Sequence, residues 1–132
     1  MRRLVRHRHA AWLRQGGCCY YCDRATWEEV AETFAGGQGL TKRQIRLLRS
    51  TAEHLIARQD GGTDAAANIV SACWFCNSRR HRTRRPLDAA RYRLRVQRGL
   101  TKPQGSSVQT LAGGDVQSVV STSGLKAGRR ST

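Results

Sequence analysis

Two cysteine pairs and the polar run between them carry the chemistry this chain offers. Cys19-x-x-Cys22 and Cys73-x-x-Cys76 are C-x-x-C knuckles. Such a turn lets two sulfurs converge on one ion. Two turns complete a tetrahedron of thiolates, which zinc binds at about 2.3 Å per sulfur. Four thiolates leave no open position, so this four-cysteine site is expected to be structural. Roughly 50 residues separate the knuckles, more than a zinc ribbon usually carries. Two disulfides, or thiols buried as small hydrophobes, are the competing readings. Cys18 is the odd cysteine and could replace Cys19, although only Cys19 has the C-x-x-C spacing. Between the knuckles run Glu53-His54-Leu55-Ile56-Ala57-Arg58-Gln59-Asp60-Gly61-Gly62 and Asn68-Ile69-Val70. The second knuckle continues as Cys73-Trp74-Phe75-Cys76-Asn77-Ser78-Arg79-Arg80. An imidazole exchanges a proton near neutral pH, so His54 is the natural place to look for acid–base work.

An acid-His pair, a Gly-Gly turn, an Asn-aliphatic pair and a C-x-x-C followed by Asn and basic residues occur here in order. In this the sequence resembles the HNH endonuclease superfamily, and most of all its zinc-stapled branch. Cys19-Tyr20-Tyr21-Cys22, followed by Asp23-Arg24-Ala25-Thr26-Trp27, is similar to that branch's first knuckle. The resemblance covers about residues 18–86. It implies a ββα-metal (His-Me finger) motif and metal-dependent cutting of the DNA backbone, leaving 5′-phosphate and 3′-hydroxyl ends.

The residue types suit that reaction. Hydrolysing a phosphodiester needs an activated water, neutralisation of charge on the phosphoryl oxygens and help for the leaving 3′ oxygen. His54 is expected to be the general base. Asn68 is the middle Asn, a pin for the loop that orients His54. By resemblance, Glu53 and the side-chain carbonyl of Asn77 hold a hard divalent ion, Mg²⁺ or Mn²⁺. The letters read His-Asn-Asn, with Asn77 in the third slot. His81, one helical turn from Asn77, is an alternative ligand or a phosphate contact. Arg58, Arg79 and Arg80 are expected to grip phosphates, with Arg82, Arg84 and Arg85 extending the positive run. Tyr20, Tyr21, Trp74 and Phe75 read as packing around a small zinc core rather than as base-stacking groups. The chain departs from many relatives in having Ala57-Arg58 where a proline follows the His, and Glu53 where Asp is common.

These groups need elements to position them. Residues 3–15 predict a helix stopped by Gly16-Gly17. Thr26-Trp27-Glu28-Glu29 reads as a capping box opening a helix over 27–34. Thr41-Lys42-Arg43-Gln44 is a second capping box, so residues 26–50 read as a helical insertion. Residues 51–57 and 68–70 are strand-like, with a turn at Asp60-Gly61-Gly62-Thr63. Residues 74–85 predict a helix ended by Pro86. Asp88 caps a last one over 89–98, with Gly99 beyond it. The expected fold is therefore α+β, a ββα-metal motif stapled by a zinc site of four cysteines and flanked by helices.

Composition sets the frame. The chain has 132 residues, with 24 Lys and Arg against 9 Asp and Glu, a formal charge of +15. Such an excess is the footprint of a phosphate-binding protein and points to nucleic acid, and the resemblance implies double-stranded DNA as the partner. Residues 101–132 lack Trp, Tyr and Phe and are rich in Ser, Thr, Gly and Gln, so a disordered low-complexity tail is expected there. The folded domain is expected over residues 1–100, a core small enough to need a staple. No run of about 20 apolar residues could span a bilayer. Arg2-Arg3-Leu4-Val5-Arg6 leads into no apolar stretch, so no secretory signal is expected, and a cytoplasmic setting with reduced thiols favours metal over disulfide. A zinc-stapled nucleic-acid-binding module without catalysis is the main rival. A zinc deaminase needs H-x-E with P-C-x-x-C, and His54-Leu55-Ile56 does not supply it. A finger with two Cys and two His ligands fails for want of an H-x₃₋₅-H pair after Cys22.

Overall fold

In the computed structural model, which describes residues 2–101, two five-residue strands form the centre. β1 (Ser50–His54) and β2 (Ile69–Cys73) pair antiparallel, with Glu53 opposite Val70 and His54 opposite Ile69. α3 (Trp74–Arg80) follows β2 without a linker. The Cys73 sulfur caps it by accepting from the Cys76 N–H at 3.3 Å. One strand pair and one helix thus build the α+β ββα unit that the residue pattern predicts.

A two-stranded sheet is marginal alone and must be covered. All five residues of β2 are buried. α1 (Arg2–Arg14) packs on both strands and buries Ala11. Beyond its end, the Gln15 side chain acts as a stand-in strand. Its Nε2 donates to the Ser71 carbonyl at 2.8 Å, and its Oε1 accepts from the Ser71 N–H at 3.0 Å. The Tyr20 N–H also donates to the Ser71 carbonyl, at 2.8 Å. The outer edge of β2 is therefore paired. Gly16 and Gly17 have φ of 67° and 78°, which turns the chain out of α1 where the glycine pair predicts a stop.

The insertion is less helical than its sequence suggests. α2 (Lys42–Leu47) has its capping box complete: Gln44 N–H donates to Thr41 Oγ1 at 3.1 Å, and Thr41 N–H donates to Gln44 Oε1 at 2.8 Å. The box predicted at Thr26 does not form, and no helix spans 27–34. The Thr26 hydroxyl donates to the Gly17 carbonyl and accepts from Trp12 Nε1, each at 2.9 Å, so tertiary partners hold it in place of a cap bond. Trp27 instead bridges Arg49 in parallel, and only short 3₁₀ turns follow, at Ala31–Thr33 and Ala35–Gly37.

α3 stops at Arg80, five residues before the predicted end. The Arg80 side chain turns inward and its Nε donates to the Leu87 carbonyl at 3.1 Å, which draws the chain back after one last turn. α4 (Ala89–Thr101) starts at its predicted cap, with Arg91 N–H on Asp88 Oδ1 at 2.9 Å. It runs through Gly99 because Leu100 packs on the core. That core joins both knuckles to Leu48, Ala72, Phe75, Ala89 and Val96. The expected tail, apart from Thr101 in α4, lies outside the described residues. No helix among the described residues is long and apolar enough to cross a membrane.

Candidate active site

The first knuckle leaves α1, and the second joins β2 to α3, so the strand pairing itself brings the cysteines together. The sulfurs of Cys19, Cys22, Cys73 and Cys76 lie within 4.8 Å of one another, and all four residues are buried. A tetrahedral zinc at about 2.3 Å from each sulfur sets the sulfurs about 3.8 Å apart, so the quartet fits it. Burial works against charge on Cys19, but hydrogen bonds with Cys22, Cys73 and Cys76 outweigh it and hold that thiol well below its ordinary value. Those same interactions with Cys19 and Cys22 push Cys73 and Cys76 up. Cys18 stands apart, with its sulfur on the Gly16 carbonyl. No disulfide occurs among the five cysteines.

The second site is a cleft of about 290 Å³ at the far end of β1, lined by Glu53, His54, Arg58, Asn77 and His81, among others. His54 ends β1, and its Nε2 lies 2.8 Å from Asp64 Oδ1. The hydrogen bond with His54, ahead of the Arg58 charge, holds the Asp64 carboxyl below its usual range. A carboxylate offers only lone pairs, so His54 Nε2 carries the proton and donates it. That leaves Nδ1 as the nitrogen able to accept one. Asp64 is held in turn by α1, through His7 Nδ1 donating to its backbone carbonyl at 2.9 Å, and by Arg58 at 3.0 Å.

Asn68 secures the loop between the strands. Its Nδ2 donates to the Ile56 and Thr63 carbonyls at 3.0 and 2.8 Å, and its Oδ1 accepts from the Ile56 N–H at 2.8 Å. The same loop requires Gly62, where an added Cβ would meet the Ile56 carbonyl oxygen at 1.7 Å.

Asn77, on α3, spends its amide nitrogen on Thr51 Oγ1 at 3.1 Å and the Ala52 carbonyl at 3.2 Å. Its Oδ1 is then the atom available to a cation. Glu53 is 2% exposed and divides its oxygens. Oε2 accepts from Tyr21 Oη and Arg80 Nη1, both at 2.8 Å. His81 Nε2 donates to Oε1 at 3.0 Å. A carboxylate oxygen and an amide oxygen thus border one cleft, hard donors suited to a divalent ion, with the His81 imidazole hydrogen-bonded to the carboxylate.

Sequence reasoning misplaces Arg80 and misses two neighbours. Arg80 is 4% exposed, buried rather than open to solvent. Besides Glu53, it donates from Nη1 to the His54 carbonyl at 3.0 Å and from Nη2 to the Leu55 carbonyl at 3.2 Å. It is a buried brace under the strand end that carries His54. Tyr21, read as packing, also hydrogen-bonds Glu53. Burial, then the Glu53 charge, raises its phenol far above the ordinary value, so it stays a donor. Asp64 is the other neighbour, and its signal is a second acid just past the Gly-Gly turn. Arg58, Arg82, Arg84 and Arg85 are exposed, and the Arg79 guanidinium lies over the Phe75 ring at 5.3 Å.

No curated protein and no solved structure matches the chain. Residues 42–83 match the family model described as HNH endonuclease. The matched segment contains both strands, α3, the second knuckle and every residue named as lining the cleft.

Proposed function

We propose that this protein is a metal-dependent endonuclease that hydrolyses phosphodiester bonds of double-stranded DNA, with His54 as general base. The observation that carries the reading is the hydrogen bond from His54 Nε2 to Asp64 beside Glu53 and Asn77. It commits Nε2 and leaves Nδ1 as the free ring nitrogen of an imidazole that lines a cation-suited cleft.

In this mechanism His54 Nδ1 takes a proton from water as the water oxygen bonds to phosphorus. The bond from phosphorus to the 3′ oxygen breaks, and solvent protonates the leaving oxygen. Asp64 keeps the imidazole in the required tautomer. Asn68 holds the loop beneath it. Glu53 Oε1 and the Asn77 carbonyl oxygen hold Mg²⁺ or Mn²⁺, with His81 bordering the same oxygen. When bound, the ion neutralises charge developing on the phosphoryl and leaving oxygens. Exposed Arg58, Arg82, Arg84 and Arg85, with Arg79, supply phosphate contacts that fix the strand without reading sequence. The cysteine quartet holds a structural Zn²⁺.

A zinc-stapled binding module without catalysis draws on the commitment of Glu53 Oε2 to Arg80 and Tyr21. It leaves the Asp64–His54 pair without a use. Supercoiled plasmid incubated with the zinc-loaded protein separates the two. Nicking or linearisation on adding Mg²⁺ or Mn²⁺, with 5′-phosphate ends, supports the nuclease. Plasmid that is bound but uncut across both ions supports the module.

A further inference from the structure

The opposite ends of β1 and α3 hold a second recess, of about 510 Å³, lined by Trp27, Arg43, Arg46, Leu47, Arg49 and Trp74. Trp74 opens α3 yet is 49% exposed, so about half of its surface is not spent on packing. It is held at its backbone, where its N–H donates to the Arg49 carbonyl at 2.8 Å. Trp27 is fixed more firmly. Its Nε1 donates to the Ile45 carbonyl at 2.7 Å, and the Arg49 guanidinium lies 5.8 Å from its ring centroid. Arg43 and Arg46 are spaced i, i+3 on α2 and share a face. Arg43, Arg46 and Arg49 are exposed, and no ion pair among the described residues uses them.

We infer that this recess receives one unpaired nucleotide of the bound nucleic acid, its base against Trp74 and its phosphate among Arg43, Arg46 and Arg49. The inference rests on the nuclease reading for the strand that delivers the nucleotide. The chemistry selects the ligand. Indole faces take a flat base whose own faces are free, and a base inside an intact duplex has none to offer. Three guanidiniums without carboxylate partners take the phosphate beside it. The position agrees. Arg49, just before β1, and His54 are five residue steps apart, and Trp74 and His81 are seven steps apart along α3 and its C-cap. These put the recess about 10 to 17 Å from the cleft, roughly three to five base steps along a duplex. The enzyme would therefore favour DNA with a frayed end, gap or extruded base on one side of the cut.

Binding without cutting tests this. Zinc-loaded His54→Ala protein is titrated, with Ca²⁺ as the only other divalent ion, into a fluorescent single-stranded 12-mer and into the matching duplex, and anisotropy is read. Trp74→Ala in that background is expected to weaken single-strand binding about 5- to 150-fold, the loss of one stacked base, and duplex binding by less than about 2-fold. Trp74→Phe, which keeps a ring, should recover most of the loss, and Arg46→Ala should weaken the single strand too. Equal affinity of the Trp74→Ala and Trp74 proteins for the single strand overturns the inference. So does an equal loss on both DNAs, or displacement of the 12-mer by a Glu-rich peptide at the concentration at which DNA displaces it. A chain that never cuts plasmid yet shows the Trp74 effect refutes the nuclease and leaves the recess standing.

Discussion

Asp64 and Arg80 do different work from one another although each is half of an ion pair near the cleft. Asp64 is a half-buried carboxylate whose hydrogen bond selects which nitrogen of His54 is free. Asp64→Asn should lower kcat about 10- to 100-fold and leave KM for DNA within about 2-fold, because it disturbs the base and not the phosphate contacts. The Asp64 carboxyl is lowered, so its pairing is complete above the ordinary Asp value near 3.9 and is lost only as pH falls through the lowered one. At neutral pH the pair is intact. Arg80 and Glu53 are buried together, and removing one partner strands the other's charge. Arg80→Ala should cost about 3–5 kcal/mol in urea unfolding, while exposed Arg82→Ala should stay within about 0.5 kcal/mol. The sequence places both arginines in one run, and burial is not a property that a run of like residues displays. His54, Glu53 and Asn77 are legible in the sequence because their spacing is particular. Asp64 is not, because its partner lies ten residues away across a turn.

The two capping boxes show what local pattern can decide at the scale of elements. Thr41 has no competing partner, and its box forms. Thr26 lies beside the end of α1, and its hydroxyl is used by Trp12 and Gly17. Tertiary hydrogen bonds override the local signal there. The places of the strands and the start of each predicted helix from Thr41 onward are readable from turn and cap residues, although the strands run over Ser50–His54 and Ile69–Cys73 rather than 51–57 and 68–70. The ends of α3 and α4 are not readable, since Arg80 and Leu100 set them through long-range contacts. The Gly61-Gly62 turn is readable as a turn. That Gly62 must lack a side chain is not, because the obstacle is the Ile56 carbonyl, six residues back. Gly62→Ala should lower stability by about 1–3 kcal/mol through the shift it forces in the loop held by Asn68, read as a fall in thermal midpoint.

Over the whole molecule, a small core is closed by the cysteine quartet, with α1, the strand pair and α4 gathered round it. α4 is tied to the first knuckle by Arg93 Nε donating to the Tyr20 carbonyl at 2.7 Å and by the Tyr21–Tyr92 ring contact at 4.9 Å. Withdrawing the metal should therefore unfold more than the knuckles. Cys19→Ser should reduce bound zinc and lower the thermal midpoint, whereas Cys18→Ser should leave both as they are, measured by metal analysis and calorimetry on the same preparations. The C-x-x-C spacing makes this staple plain in the sequence, and the composition makes the positive charge plain. What composition does not show is where that charge lies: Arg58, Arg82, Arg84 and Arg85 reach solvent, while Arg24 and Arg80 are buried.

The central claim is that His54 takes the proton in a metal-dependent cut of DNA. Cleavage of labelled duplex in single turnover, with saturating Mg²⁺ or Mn²⁺, compares wild type with His54→Ala, each first shown to retain zinc and to bind the duplex. A loss of about 10²- to 10⁴-fold in the cleavage rate, with DNA affinity unchanged, is the expected result. A His54→Ala protein that cuts at the wild-type rate would contradict it.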